Sequence, residues 1–236
     1  MTSFSVCLVF FITSILSLFK IKNQKDHQIF FILICIALLF VIVFRNGKEL
    51  NDYDVYVNMY NNYNQSFVRL YVEPTYIFFS HILNSLSLSV LSLFAIYGAI
   101  SLYLKVSLIK KISPYYYLSL VSYISYEFIN QELIAIRAGV AIAILMYSII
   151  PIYKRDVKKF LFLVFCATLF HYSSIVALPI YPLIILFQKK RIFATVFLVL
   201  SILFIFFDIS IFTKFIPIPY VRNKVNYYLD NSNTSI

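Results

Sequence analysis

Charge is scarce in this 236-residue chain: Asp, Glu, Lys and Arg make up 13 % of it, against 61 % hydrophobic residues. A globular domain carries about 25 % charged residues, so this chain has too little polar side chain to coat a water-facing sphere. Cysteine is scarce too. Cys7, Cys35 and Cys166 each sit inside an apolar run, which argues against a disulfide framework and against a zinc cluster. There are three glycines, Gly47, Gly98 and Gly139, too dispersed for a loop that cradles nucleotide phosphates. No basic residue precedes the first apolar run and no small-residue cleavage site follows it, so it reads as a retained helix, not a signal peptide. The apolar runs are continuous and lack the alternation of a membrane β-barrel.

What is present is a succession of apolar stretches near the ~20 residues that cross a bilayer as a helix. They are Thr2 to Phe19, Ile29 to Phe44, Ser89 to Leu108, Pro114 to Phe128, Ile134 to Tyr153, Phe160 to Phe187 and Ile192 to Phe207. Thr75 to Leu88 is less apolar and reads as an interfacial or re-entrant helix. The expected fold is therefore all-α: a polytopic helical membrane bundle of about seven or eight spans, forming a single domain over residues 1–236.

The net charge of +10 would suggest nucleic acid in a soluble protein. Here the bases cluster in short loops: Lys20/Lys22/Lys25, Lys105/Lys110/Lys111, Lys154/Arg155/Lys158/Lys159 and Lys189/Lys190/Arg191. Lys- and Arg-rich loops stay in the cytoplasm. The clusters carry +11 and the remaining segments −1. This predicts an outward N-terminus, an external loop over 45–74 and an external tail over 208–236. It also requires Phe160 to Phe187 to go out and come back, with Pro179 and Pro182 shortening the returning arm. A single tilted helix is the alternative, and would leave one basic cluster outside.

That orientation gathers the polar chemistry on the outer face. Tyr53, Tyr56 and Tyr60 fall at helical spacing behind Asp52, a candidate N-cap. They read either as an interfacial aromatic belt or as a stacking surface for sugars. Glu73-Pro74 closes the loop, because the residue before proline disfavours helix and proline suits a first turn. Glu127, Asn130, Gln131 and Glu132 surround an outer turn, Arg137 begins the next helix, and His171 lies at the apex of the hairpin. The interior of the spans looks nearly free of charge. Two arginines with carboxylates and a histidine suit an anionic substrate undergoing acid–base chemistry: arginine's planar fork binds phosphate oxygens, and a desolvated carboxylate or imidazole serves as a base.

The succession of Arg45, Asp52-Tyr53 with Tyr56, Glu73-Pro74 with Tyr76, Ile136-Arg137 and Phe170-His171-Tyr172-Ser173 resembles the EpsG-like branch of the bacterial O-antigen and exopolysaccharide polymerases, the Wzy type. The resemblance runs from about residue 30 to residue 185. It departs from the family pattern at Ala138, where a Gln usually follows the Ile-Arg pair, and the chain is short for the family, which makes it either a short member or one whose C-terminal spans are absent. The resemblance implies a membrane glycosyltransferase of the bacterial inner membrane, moving a glycan from undecaprenyl diphosphate to another lipid-linked repeat unit at the periplasmic face. It implies Arg45 and Arg137 on the diphosphate, Glu73, His171 or Asp52 as the base, and Tyr53, Tyr56 and Tyr60 beneath the acceptor glycan. No cofactor, metal or nucleic acid is expected; a chain-length regulator is an expected partner. An O-antigen ligase and a flippase of lipid-linked sugars are the alternatives.

Overall fold

The computed structural model describes residues 2–19, 24–50, 52–189 and 191–204. The expected external tail over 208–236, and Lys20, Lys22 and Lys190 of the basic clusters, lie outside the described residues. Among those residues there is no strand. The chain runs through α1 (Thr2–Leu18) and α2 (Gln24–Val43), then a polar segment holding α3 (Tyr53–Asn61) and α4 (Ser66–Tyr71). It continues through α5 (Pro74–Ser85), α6 (Val90–Ile112), α7 (Tyr116–Ser122), a π-helix (Tyr123–Ile134), α8 (Ile136–Tyr147) and α9 (Ile149–Lys154). α10 (Val157–Phe170), a 3₁₀ turn (Tyr172–Ala177), α11 (Ile180–Lys189) and α12 (Arg191–Phe204) follow. The described residues up to Tyr181 form one compact unit, and those from Pro182 on belong to a second. Every site described below lies in the first.

Two stretches, Val90–Ile112 and Ile136–Lys154, are long and apolar enough to cross a membrane; the apolar helices Thr2–Leu18 and Gln28–Val43 are shorter. Large apolar side chains point outward along the bundle, among them Phe4, Phe11, Phe40, Phe162 and Phe165, each more than 60 % exposed. An apolar surface this extensive is rare on a soluble monomer and suits hydrocarbon.

Inside hydrocarbon, helices are not driven together by apolar burial, so packing rests on close fit and on hydrogen bonds. Two of the three glycines provide that fit. A Cβ at Gly98 of α6 would stand 2.7 Å from Ile42 Cγ2 of α2, and one at Gly139 of α8 would stand 2.5 Å from the Gln131 carbonyl oxygen of the π-helix. One core joins Phe31, Leu38 and Ile42 of α2 to Leu102, Leu120, Ile124 and Phe128. A second joins Tyr56, Tyr60, Tyr76, Phe94, Tyr97 and Val140.

The apolar run Phe160 to Phe187 is broken, as its expected hairpin requires. α10 stops at Phe170, His171 is extended, and the chain returns along α10 so that the Tyr181 ring packs 5.2 Å from that of Phe160. At the other end of α10, left-handed Arg155 (φ 57°) terminates α9, and the Asp156 carboxylate accepts from the Lys159 amide at 3.0 Å.

Two expectations are corrected. Lys105 is not a loop residue: it is 2 % exposed, within α6, and its Nζ lies 2.5 Å from Glu132 Oε1. Glu132 is not in an outer turn either. The apolar run from Pro114 continues as the π-helix to Ile134, which carries Glu132 into the bundle, where Ser101 Oγ and Tyr123 Oη also donate to Oε1 at 2.9 and 2.8 Å. The interior of the bundle therefore holds a buried ion pair.

Candidate functional site

Three helix ends meet around one carboxylate. Glu73 is extended (ψ 145°) and Pro74 occupies the first turn of α5, the arrangement the Glu-Pro pair predicts. Its position at a helix N-terminus favours a negative charge. Arg137 comes from the first turn of α8 and His171 from the stop of α10. Arg137 Nη1 donates to Glu73 Oε2, and His171 Nδ1 lies 2.9 Å from Glu73 Oε1. The three residues are up to 98 positions apart in the chain.

Exposure is graded across the cluster: the side chain of Glu73 is 4 % exposed, Arg137 18 % and His171 34 %. The carboxylate is the most enclosed of the three groups, and the imidazole the most accessible. Burial pushes the Glu73 carboxyl up, but the hydrogen bond from His171 and the Arg137 charge outweigh it and hold it below its ordinary value. An ionised Glu73 accepts, so Nδ1 of His171 carries the proton of this bond.

Aromatic rings hold the guanidinium from behind. Arg137 Cζ lies 5.4 Å from the Tyr56 ring centre and 5.9 Å from that of Tyr76, and Tyr76 Oη donates to the Tyr56 carbonyl at 2.7 Å. Arg137 Nε is buried without a hydrogen-bond partner. Thr75 Oγ1 donates to the Leu169 carbonyl at 2.8 Å, and Tyr172 Oη to that of Val72 at 3.3 Å. These bonds tie the start of α5 to the end of α10 and fix the distance between Glu73 and His171.

The other expected residues take different places. Arg45 is buried; Nη1 donates to the carbonyls of Glu132 and Leu133 at 3.2 and 2.9 Å, and Cζ sits 3.7 Å over the Phe94 ring. Its Nε and Nη2 have no hydrogen-bond partner. Burial, partly offset by Tyr56 and Tyr53, lowers its pKa to about 10, which leaves it charged at neutral pH. Asp52 occupies the N-cap position of α3, but its carboxylate makes no capping bond. Tyr53 packs against Phe94 at 5.5 Å. Tyr56 and Tyr60 are each 3 % exposed, and Tyr60 Oη donates to the Leu88 carbonyl at 2.8 Å. Neither an interfacial belt nor a sugar platform describes these two rings: their helical face is turned to the protein core.

A cavity of about 480 Å³ opens beside the cluster, its wall including Val72 and Pro74 on either side of Glu73 and Tyr172 next to His171. Comparison with known families settles the kinship of the chain. The EpsG family matches residues 28–236. The chain belongs to the EpsG family. No curated protein and no solved structure matches it. The EpsG family is of polysaccharide-polymerase type and membrane-associated, in keeping with the apolar envelope. The matched region contains the whole Glu73–Arg137–His171 cluster.

Residues that sequence reasoning passed over stand behind this EpsG site. Thr75 and Tyr97 lie 3.2 Å apart and support α5 from α6. Lys105 was hidden by its proximity to Lys110 and Lys111. The signal against a loop is that Leu104, Val106, Leu108 and Ile109 continue the apolar run on both sides of it.

Proposed function

We propose that the chain polymerises lipid-linked polysaccharide repeat units, as an O-antigen or exopolysaccharide polymerase of the Wzy type in the bacterial inner membrane. The observation that carries the reading is the buried Glu73 carboxylate holding an imidazole and a guanidinium that are both more exposed than it is. An acceptor hydroxyl attacks the anomeric carbon of the donor glycan, the bond from that carbon to the diphosphate oxygen breaks, and undecaprenyl diphosphate leaves. His171 Nε2 takes the hydroxyl proton. Glu73 orients the ring and offsets the imidazolium charge. Arg137 faces the charge gathering on the diphosphate, a preorganised donor of the kind whose loss typically lowers turnover by about 10²–10³-fold.

This assigns the base among the three acidic and imidazole candidates: His171 is reachable, Glu73 serves it, and Asp52 is outside the cluster. Arg45, locked on carbonyls, supports the π-helix end beside α8 instead of meeting substrate directly. Seven or eight spans, an outward N-terminus and a chain-length regulator as partner complete the reading.

Two experiments test it. Deleting the gene should leave surface glycan with single repeat units; loss of all repeats instead points to the flippase or ligase. Arg137→Lys keeps the charge and loses the planar fork, so it should shorten the glycan ladder. A normal ladder in that variant overturns the role of Arg137.

A further inference from the structure

With Tyr56 and Tyr60 buried, the acceptor glycan needs another seat. We infer that the 480 Å³ cavity beside Glu73 is that seat, binding the terminal sugars of the acceptor. The inference rests on the polymerase reading and extends it to a second set of residues.

Three observations carry it. The first is adjacency: the cavity shares Val72 and Pro74 with the backbone that presents Glu73, and Tyr172 with the backbone that presents His171. A sugar lying in it has its hydroxyls within the neighbourhood of the imidazole. The second is chemistry. Tyr63, Phe78 and Tyr172 line the cavity, with Phe78 59 % and Tyr172 44 % exposed, so these rings are open where Tyr56 and Tyr60 are not. Arg69 and His81 line the same wall. Arg69 Nη2 is held by Asn64 Oδ1 at 2.8 Å, and the His81 ring is propped 5.8 Å from the Tyr63 ring. A pyranose has an apolar C–H face and a rim of hydroxyls. Aromatic faces match the former and planar side chains with several N–H groups match the latter.

The third is charge and size. The lining residues include one arginine and no carboxylate, which suits neutral or acidic sugars and disfavours cationic amino sugars. The volume falls in the ~300–1,000 Å³ range of small-molecule sites, large enough for more than one ring.

The chain has no tryptophan, so Tyr172→Trp places a single indole in the wall while keeping an aromatic face. The protein carrying it, in lipid nanodiscs, is titrated with repeat-unit oligosaccharide freed of its lipid, and separately with undecaprenyl monophosphate. The oligosaccharide should give a saturable change in emission, weakened about ten-fold by Tyr63→Leu, and undecaprenyl monophosphate should give none. In unmodified Tyr172 protein, Tyr63→Leu and His81→Ala should raise the acceptor KM more than they lower kcat. A change with undecaprenyl monophosphate and none with the oligosaccharide overturns the inference, as does an unaltered acceptor KM in both variants. Polymer formation from intact lipid-linked repeats, followed in nanodiscs that hold the protein with Tyr172 unchanged, separates the two ideas. Glycan binding without polymer retains the sugar seat and overturns the polymerase reading; polymer without glycan binding or KM change does the reverse.

Discussion

Replacing Lys105 with methionine removes one partner of a pair that is almost wholly enclosed. Lys105 and Glu132 are 2 % and 1 % exposed and 2.5 Å apart. Without the ammonium, the Glu132 carboxylate keeps only the neutral donors Ser101 and Tyr123 on Oε1. Breaking a buried pair from one side typically costs about 3–5 kcal/mol, because an uncompensated charge stays behind. For a domain of 150–250 residues each kcal/mol moves the midpoint by roughly 2–4 °C, so the variant should melt about 6–20 °C below the parent. Replacing both residues, Lys105→Met with Glu132→Gln, removes the charge together with its counter-charge and should recover most of the loss. The assay is thermal unfolding in detergent followed by a thiol-reactive dye, which reads half-buried Cys35 and Cys166 once exposed Cys7 is replaced by alanine. Scan rate and detergent are held fixed, since irreversible unfolding makes the midpoint rate-dependent. A single variant that melts with the parent, or a double variant that melts as low as the single, refutes the account of an energetically coupled pair.

Gly139→Ala should impair both stability and polymer yield: its Cβ meets the Gln131 carbonyl at 2.5 Å, over-packing of this kind costs about 1–3 kcal/mol, and the resulting shift of α8 moves Arg137 two residues away. Normal melting and a normal ladder would show that the approach is looser than the geometry states. Glu73 gives a pH signature. Its folded pKa is depressed, so its contribution is present above the ordinary glutamate value of about 4.3 and is lost as pH falls through the lower folded value. The stability gap between the parent and Glu73→Gln should thus be flat near neutrality and shrink under acid; a gap constant to about pH 3 contradicts the sign. Impermeant thiol reagents, on a background lacking Cys7, Cys35 and Cys166, should label cysteines placed at Ser173 and Asn61 from outside and miss one at Lys190. Labelling at all three would refute the orientation drawn from Lys and Arg.

Much of the helical outline was legible because continuous apolar runs have one economical backbone conformation in hydrocarbon. The break at His171 was legible from charge bookkeeping, and the start of α5 from Glu73-Pro74. Glu73, Arg137 and His171 could be nominated as polar residues on one side, but their convergence depends on the contact of three helix ends. The burial of Tyr56 and Tyr60 was not legible: helical spacing shows that residues share a face, and does not show what that face meets. The π-helix carries no apolar pattern that separates it from an α-helix. The Lys105–Glu132 pair was hidden for a related reason: Lys105 lies close to Lys110 and Lys111, Glu132 follows Asn130 and Gln131, and only the fold joins the two.

That pair also bears on how the protein is made. Lys105 emerges from the ribosome 27 residues ahead of Glu132. At about 5–20 residues per second, α6 waits roughly one to five seconds before its counter-charge is available. A lone lysine at the centre of a helix disfavours insertion by about 2.5–3.5 kcal/mol. Committing α6 to the bilayer is therefore easiest together with the π-helix, as a hairpin whose two charges enter already paired.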